Sequence, residues 1–210
     1  MIHSFYKKHS KRWLDIVFSL IMILILWPVF LIIMVLVKID SKGPAIFIQD
    51  RLTLGGKVFR MYKARTMCVN AENQGTGAYS FENDSRITKV GNILRKISAD
   101  ELFQLFNILK GDMSFVGPRP ILTYHPCEYS EYTEKEKLVF TVRPGVTGWA
   151  QVNGRNSVDW VRRFELNVWY VENVSFFLDV KIVFQTFIQV FSRKETIIQS
   201  ETAKSFRERK

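Results

Sequence analysis

The chain has 210 residues, carries 30 Lys and Arg against 20 Asp and Glu, and has a formal net charge of +10 with a pI near 9.7. That length supports one domain around one core, and the positive balance points to polyanions: nucleic acid, the anionic inner face of a membrane, or nucleotide and phosphate substrates. Cys68 and Cys127 form no CxxC, and His3, His9 and His125 form no ligand-spaced set, which argues against a disulfide framework or structural zinc and for a reducing compartment.

The first predicted element chooses among the polyanions. In DIVFSLIMILILWPVFLIIMVLVKID no residue between Asp15 and Lys38 is charged, and at about 1.5 Å per helical residue the run reaches across a hydrocarbon core of roughly 30 Å. It is too long for a cleaved signal peptide, and no small-residue cleavage site follows it. A buried core helix would carry a polar face somewhere along such a length. Lys7, Lys8, Lys11 and Arg12 precede the run, while Lys38, Lys42, Arg51, Lys57, Arg60, Lys63 and Arg65 follow it, so the positive-inside bias votes for the cytoplasm at both ends. Pro28 removes a backbone hydrogen bond near the middle and kinks the helix. A helix that enters, bends at Trp27-Pro28 and returns to the same face satisfies both facts; a kinked single crossing, in which one flank loses the charge contest, is the alternative.

Beyond it the chain reads as one mixed domain. A Gly-Pro turn, a run from Ala45 to Gln49, a Leu-Gly-Gly turn at 54–56 and a second alternating run from Lys57 to Tyr62 predict a β-hairpin. Residues 70–85 are polar and Gly-rich and read as a loop. From Ile87 to Leu109 the apolar positions (Val90, Ile93, Leu94, Ile97, then Leu102, Leu105, Phe106, Leu109) recur at helical spacing. Ser98 as an N-cap with Glu101 at the third position predicts a capping box, so that Asp100 and Glu101 open the second helix. RPGVTGWAQVNGR (143–155) reads as a Pro-Gly turn and a short buried strand, or as a nucleotide cradle using backbone amides and Arg143 or Arg155. SFFLDVKIVFQTFIQVF (175–191), with Phe176, Phe177, Phe184, Phe187 and Phe191, reads as a helix in the headgroup region, a core helix or an oligomer contact. The resulting expectation is an α+β fold: an N-terminal Pro-kinked re-entrant membrane helix, a small β-hairpin, and several helices including interfacial amphipathic ones. Its parts are a basic segment (1–13), the membrane helix (14–39), a cytosolic domain (40–192) and a polar basic tail (193–210).

Capping and compensation of the helix dipole account for Glu101 and Asp100 as well as chemistry does. The surroundings add weight to chemistry, since Lys63, Arg65, Arg95, Lys96 and Arg119 lie in turn-like or element-end segments around this one acidic pair. Such a set suits phosphoryl transfer: an Asp can be the nucleophile, a second carboxylate can hold Mg²⁺, and the cations neutralise phosphate oxygens. A basic membrane-tethered adaptor or nucleic-acid binder is the rival class, but no nucleic-acid motif is present and the aromatics lie in apolar runs. A membrane glycosyltransferase without a covalent step is another rival.

YKARTM (62–67), LRKISADELFQLFNILKGDMSFVGPRP (94–120), RPGVTGWAQVNGR and WYVENVSFFLDVKI (169–182), behind one Pro-broken hydrophobic helix, resemble the bacterial sugar transferases called monotopic phosphoglycosyl transferases. The resemblance runs from about Lys11 to Phe191. It implies an enzyme on the cytoplasmic membrane, facing the cytoplasm on a re-entrant helix, that moves a phosphosugar from a UDP-sugar to polyprenol (undecaprenyl) phosphate and releases UMP. The downstream product would be a capsule, exopolysaccharide, O-antigen or glycoprotein glycan. It makes Asp100 the nucleophile and associates Glu101, with Asp100 beside it, with Mg²⁺; Lys63, Arg95, Arg119 and Asp179 fall on the other functional positions. Partners are then the UDP-sugar, polyprenol phosphate and membrane lipids, with a possible homodimer and no nucleic acid. Three positions depart from the pattern: Phe103 stands where Pro is common, Trp27 where Ser is common before the membrane-helix Pro, and Asn167 where Asp is expected. A Ser hydroxyl can help satisfy the carbonyl freed at a kink, so Trp27 bears on how sharply the helix bends. An amide cannot supply carboxylate charge to a metal or an Arg, so position 167 is structural here or activity is lowered.

Overall fold

The computed structural model describes residues 6–73, 84–154 and 159–191. The apolar stretch forms one long helix, α1 (Lys11–Asp40), with Pro28 inside it. Asp15, Ser19, Phe30, Ile33 and Val37 are buried, and Met22, Ile23, Leu26 and Met34 pack partly buried against the same core. These steps of three and four residues make a stripe that keeps its side of the helix past Pro28. The opposite face is apolar and open: Leu24, Ile25, Trp27, Ile32 and Ile39 all show more than half of their surface. At about 25 cal/mol per Å² such a face is costly to leave in water, and α1 is long and apolar enough to cross a membrane.

The hairpin forms where the alternation places it. Strands β1 (Ile46–Leu52) and β2 (Val58–Ala64) pair antiparallel, Ile46 opposite Ala64 and Leu52 opposite Val58. Phe59, Met61 and Ala64 of β2 turn into the core beside Phe30, Ile33 and Val37 of α1. Helix α2 (Lys89–Lys96) follows, its first turn capped by Thr88, whose Oγ1 accepts from the Gly91 amide at 3.0 Å. Gly91 is dictated by contact: a Cβ there would stand 2.1 Å from the Thr66 carbonyl oxygen, so a larger residue would push α2 away from the end of β2. Asp40 at the end of α1 accepts from the Val90 amide at 2.9 Å, which ties the long helix to the start of α2.

The acidic pair does not form the expected capping box. Ser98 adopts a left-handed conformation (φ 57°) and its side chain makes no cap; the Glu101 amide is bonded instead to the Ser98 backbone carbonyl at 3.3 Å. Residues Ala99–Phe103 form a 3₁₀ turn that leads into α3 (Gln104–Lys110). Asn107 of α3 is fully buried; its Oδ1 accepts from the Tyr62 amide at 2.9 Å and its Nδ2 donates to the Arg60 carbonyl at 2.7 Å, clamping β2 to α3.

A second sheet is parallel: β3 (Ser114–Val116) pairs with β4 (Gly145–Thr147). Only β4 corresponds to the strand expected near residues 143–155. Between them lie two 3₁₀ turns and α4 (Glu134–Lys137), which does carry a capping box, formed by Thr133 and Glu136. Helices α5 (Trp149–Asn153), α6 (Trp160–Glu172) and α7 (Phe176–Phe191) complete the described chain. On α7, Ile182 is fully buried whereas Phe176, Phe177, Phe184 and Phe187 are exposed, so the helix is amphipathic with an apolar outer face. Most of the 70–85 loop, residue 155 and the basic tail lie outside the described residues.

Candidate active site

Three chain segments converge on the acidic pair. The hairpin brings Lys63, the penultimate residue of β2; the last turn of α2 brings Arg95; and the turn after β3 brings Arg119. Lys63 Nζ lies 2.8 Å from Glu101 Oε1, and Arg119 Nη2 lies 3.5 Å from the same oxygen. Arg95 is held by Thr66, whose Oγ1 accepts from Arg95 Nε at 2.8 Å. Asp100 makes no salt bridge among the described residues. These five side chains line one open cleft of about 1800 Å³, whose walls also include Met22 of α1 and Phe187 of α7.

The two carboxylates have opposite electrostatics. Burial pushes the Asp100 carboxyl above its ordinary value and the neighbouring Glu101 charge adds to this, against Lys63 and Arg95. Burial acts on Glu101 in the same direction, but Lys63 and Arg119 together outweigh it and hold its pKa down at about 2. Glu101 is therefore a fixed anion anchored by two cations. Asp100 is the more basic and less committed oxygen donor, the condition that suits a carboxylate nucleophile.

The other candidate residues lie apart from this constellation. Arg65 lines the cleft, but its guanidinium is engaged by the Pro44 carbonyl and by Ser41, through both Oγ and the backbone carbonyl at 2.8 Å. Arg143 donates to the Gly111 carbonyl at 2.8 Å and does not line the cleft. Asp179 is buried at the start of α7, where it accepts from Tyr6 at 2.8 Å and from Tyr170 at 2.7 Å and pairs with Lys11. It locks the segment before α1 to α7. Trp27 and Pro28 lie exposed on the outer face of α1. Asn167 is buried in α6, with no hydrogen-bond partner for its Oδ1 among the described residues.

Several supporting side chains carried little sequence signal. Asp15, the last charge before the apolar run, accepts from Ser114 Oγ and the Phe115 amide, both at 3.1 Å, and so ties α1 to β3. Arg12 donates to the Ile108 and Leu109 carbonyls at the end of α3. Both contacts join segments about a hundred residues apart, beyond the reach of any local pattern.

A family model described as bacterial sugar transferase matches residues 6–193. The chain belongs to that family. An uncharacterized sugar transferase, EpsL, of Bacillus subtilis is 44% identical over 174 residues, which cover 82% of this chain and 83% of the relative. The UDP-glucose:undecaprenyl-phosphate glucose-1-phosphate transferase of Escherichia coli is 42% identical over 189 residues, 88% of this chain and 40% of that protein. The UDP-N-acetylgalactosamine-undecaprenyl-phosphate N-acetylgalactosaminephosphotransferase of Aeromonas hydrophila is 40% identical over 179 residues, 84% of this chain and 42% of that protein. The chain thus spans most of the first relative and about two fifths of the other two.

Proposed function

We propose that the protein transfers a phosphosugar from a UDP-sugar to polyprenol phosphate in two in-line steps, with Asp100 as the covalent relay. An Asp100 oxygen attacks the sugar-bearing phosphorus, a P–O bond forms, and the bond to the bridging oxygen breaks so that UMP leaves with its electron pair. A phosphate oxygen of polyprenol phosphate then attacks the same phosphorus and restores the carboxylate, giving polyprenol-diphosphate-sugar. Arg95, Lys63 and Arg119 balance charge on the phosphate oxygens through both steps, where positioning and electrostatics are the main demand. The observation that carries this reading is the asymmetry of the pair: Glu101 is fastened by Lys63 and Arg119, while Asp100 stands in the cleft without an ion pair among the described residues. The named activities of the relatives from Escherichia coli and Aeromonas hydrophila support it.

The adjacent oxygen donors of Asp100 and Glu101 fit Mg²⁺. That ion is ordinarily held by one or two carboxylates together with substrate phosphates, and the described residues offer no group of three or more ligating side chains that would cage it. Bound there, Mg²⁺ would neutralise charge on the diphosphate. The open apolar face of α1 and the exposed Phe residues of α7 support a membrane seat, and the basic residues on both flanks of α1 favour one in which both of its ends meet the cytoplasmic face, with the cleft opening beside the lipid. This would place the reaction at the first membrane step of a bacterial glycan pathway. The test is incubation of the full chain in nanodiscs with polyprenol phosphate and a panel of UDP-hexoses and UDP-N-acetylhexosamines. UMP and a polyprenol-diphosphate-sugar are the expected products; UDP as the released nucleotide refutes the mechanism.

A further inference from the structure

The same cleft contains a side chain that neither the fold nor the transfer chemistry uses. Gln151 of α5 lines the cleft, yet its Oε1 and Nε2 are both buried and have no hydrogen-bond partner among the described residues. A buried amide left without a partner carries the uncompensated cost of losing its water.

Its position relates it to the reacting end. Strands β3 and β4 run parallel, so the segments after them emerge on the same side, the usual place for ligands in parallel sheets. The segment after β3 carries Arg119 to Glu101, and the segment after β4 carries Gln151. The two are stitched together by Gly117 N to the Thr147 carbonyl and Gly145 N to the Pro118 carbonyl, both 2.8 Å. Gly148 sits at the junction: a Cβ there would stand 2.0 Å from the Gly117 carbonyl oxygen and 2.8 Å from Gln151 Oε1. The Gln151 amide therefore lies over the strand ends that position Arg119, in the cleft that holds Asp100.

We propose that Gln151 recognises the uracil base of the nucleotide donor, its carboxamide pairing with the N3–H and an adjacent carbonyl on one edge of the ring. This rests on the UDP-sugar reading above. A carboxamide presents an acceptor and a donor side by side, and its full complement is a group with a donor and an acceptor on one edge. The cyclic imide of uracil has that edge. A sugar acetamido group does not, because its amide is trans and its N–H and C=O point in opposite directions. A sugar diol can also meet a carboxamide, so the experiment must separate base from sugar.

The experiment is titration calorimetry of the full chain in nanodiscs with UDP, which has no sugar, and with N3-methyl-UDP, in which the imide donor is blocked. Wild type should bind N3-methyl-UDP about tenfold more weakly than UDP, the loss expected for one or two neutral hydrogen bonds. Gln151→Ala should bind UDP about tenfold more weakly than wild type and should be indifferent to N3-methylation; Gln151→Glu, which keeps the length but replaces the amide donor by a charge, should also lose UDP affinity. An N3-methyl penalty that persists in Gln151→Ala, or one absent from wild type, overturns the assignment. A Gln151→Ala defect confined to the preference between UDP-N-acetylhexosamine and UDP-hexose moves the contact to the sugar and overturns it equally. Failure of wild type to bind any uridine diphosphate overturns the donor reading itself. The wild-type arm needs no substitution, so a missing N3-methyl penalty overturns the proposal even if Gln151→Ala does not fold, and Gln151→Glu then carries the assignment to the residue.

Discussion

Lys63→Met keeps the apolar stem of Lys63 and deletes the charge that lies 2.8 Å from Glu101. Glu101 is held at about 2 against its ordinary 4.5, a difference worth roughly 3 kcal/mol at about 1.4 kcal/mol per pH unit. Lys63 is nearer than Arg119, which lies at 3.5 Å and is half exposed, so Lys63 carries the larger part, about 2 kcal/mol. For a chain of this size that is a fall in Tm of roughly 4–8 °C, readable from Trp fluorescence during heating in detergent micelles. The sign with pH follows from the depressed carboxyl. Stabilisation by the pair is complete above about pH 4.5 and is lost as pH falls toward 2, so the gap between wild type and Lys63→Met should be full at pH 7 and narrow below about pH 4.5. In Lys63→Met/Glu101→Gln the cost of losing Lys63 should shrink by about 1 kcal/mol or more. A Lys63→Met variant within about 1 °C of wild type at pH 7, or a coupling under about 0.5 kcal/mol, refutes the reasoning.

Asp100→Asn should leave the Tm nearly unchanged while turnover falls by several orders of magnitude; short incubation with radiolabelled UDP-sugar and no acceptor should label wild type, in hydroxylamine-labile form, and not the variant. Labelling of Asp100→Asn at the wild-type level would show that the nucleophile lies elsewhere. Asn107→Leu strands the Tyr62 amide and the Arg60 carbonyl and should cost about 2–4 kcal/mol, seen as a lowered Tm with proteolysis starting in the hairpin. In a background of Cys68→Ser and Cys127→Ser, Ser4→Cys and Ser85→Cys should both resist a membrane-impermeant maleimide in intact cells; labelling of Ser4→Cys alone shows a full crossing, and Pro28→Leu should shift the outcome toward it. Excess EDTA should abolish UMP release and added Mg²⁺ should restore it, and full activity in EDTA excludes the Mg²⁺ assignment.

Elements whose information is local were legible in the sequence. The hairpin followed from alternation around Leu54–Gly56, and α2 and α3 from apolar positions at steps of three and four. The acidic pair was legible as a candidate site because its sequence neighbours and Lys63 are charged, but its local geometry was not: a capping box was the natural reading of Ser98 and Glu101, whereas the Glu101 carboxylate meets Lys63 and Arg119. β3 was missed because three residues followed by Gly-Pro carry no period, and its partner lies beyond a long connection. Arg65, by contrast, looked like Lys63 or Arg95 in sequence; only the fold shows it turned back on Ser41 and Pro44. Gln151 lies in the 143–155 segment read as a possible nucleotide cradle, but nothing in the sequence singled it out, since only the fold shows its amide buried with no partner among the described residues.

The packing also links the membrane helix to the chemistry. Phe30, two residues past Pro28, meets Phe103 with ring centroids 5.1 Å apart and Phe106 at 5.3 Å. Phe103 ends the 3₁₀ turn that contains Asp100 and Glu101. The inner face of α1 just beyond its Pro is therefore the floor under the acidic pair, and Asp15 and Asp40 fix the same helix to β3 and α2 on either side. Close-packed side chains transmit displacement rather than absorb it. A change in the course of α1 at Pro28 would therefore shift or tilt the turn that carries the two carboxylates. Phe103, standing where the family resemblance leads one to expect Pro, is then more than a local exchange: it supplies the ring on which Phe30 rests, and so joins α1 to the turn that carries Asp100 and Glu101.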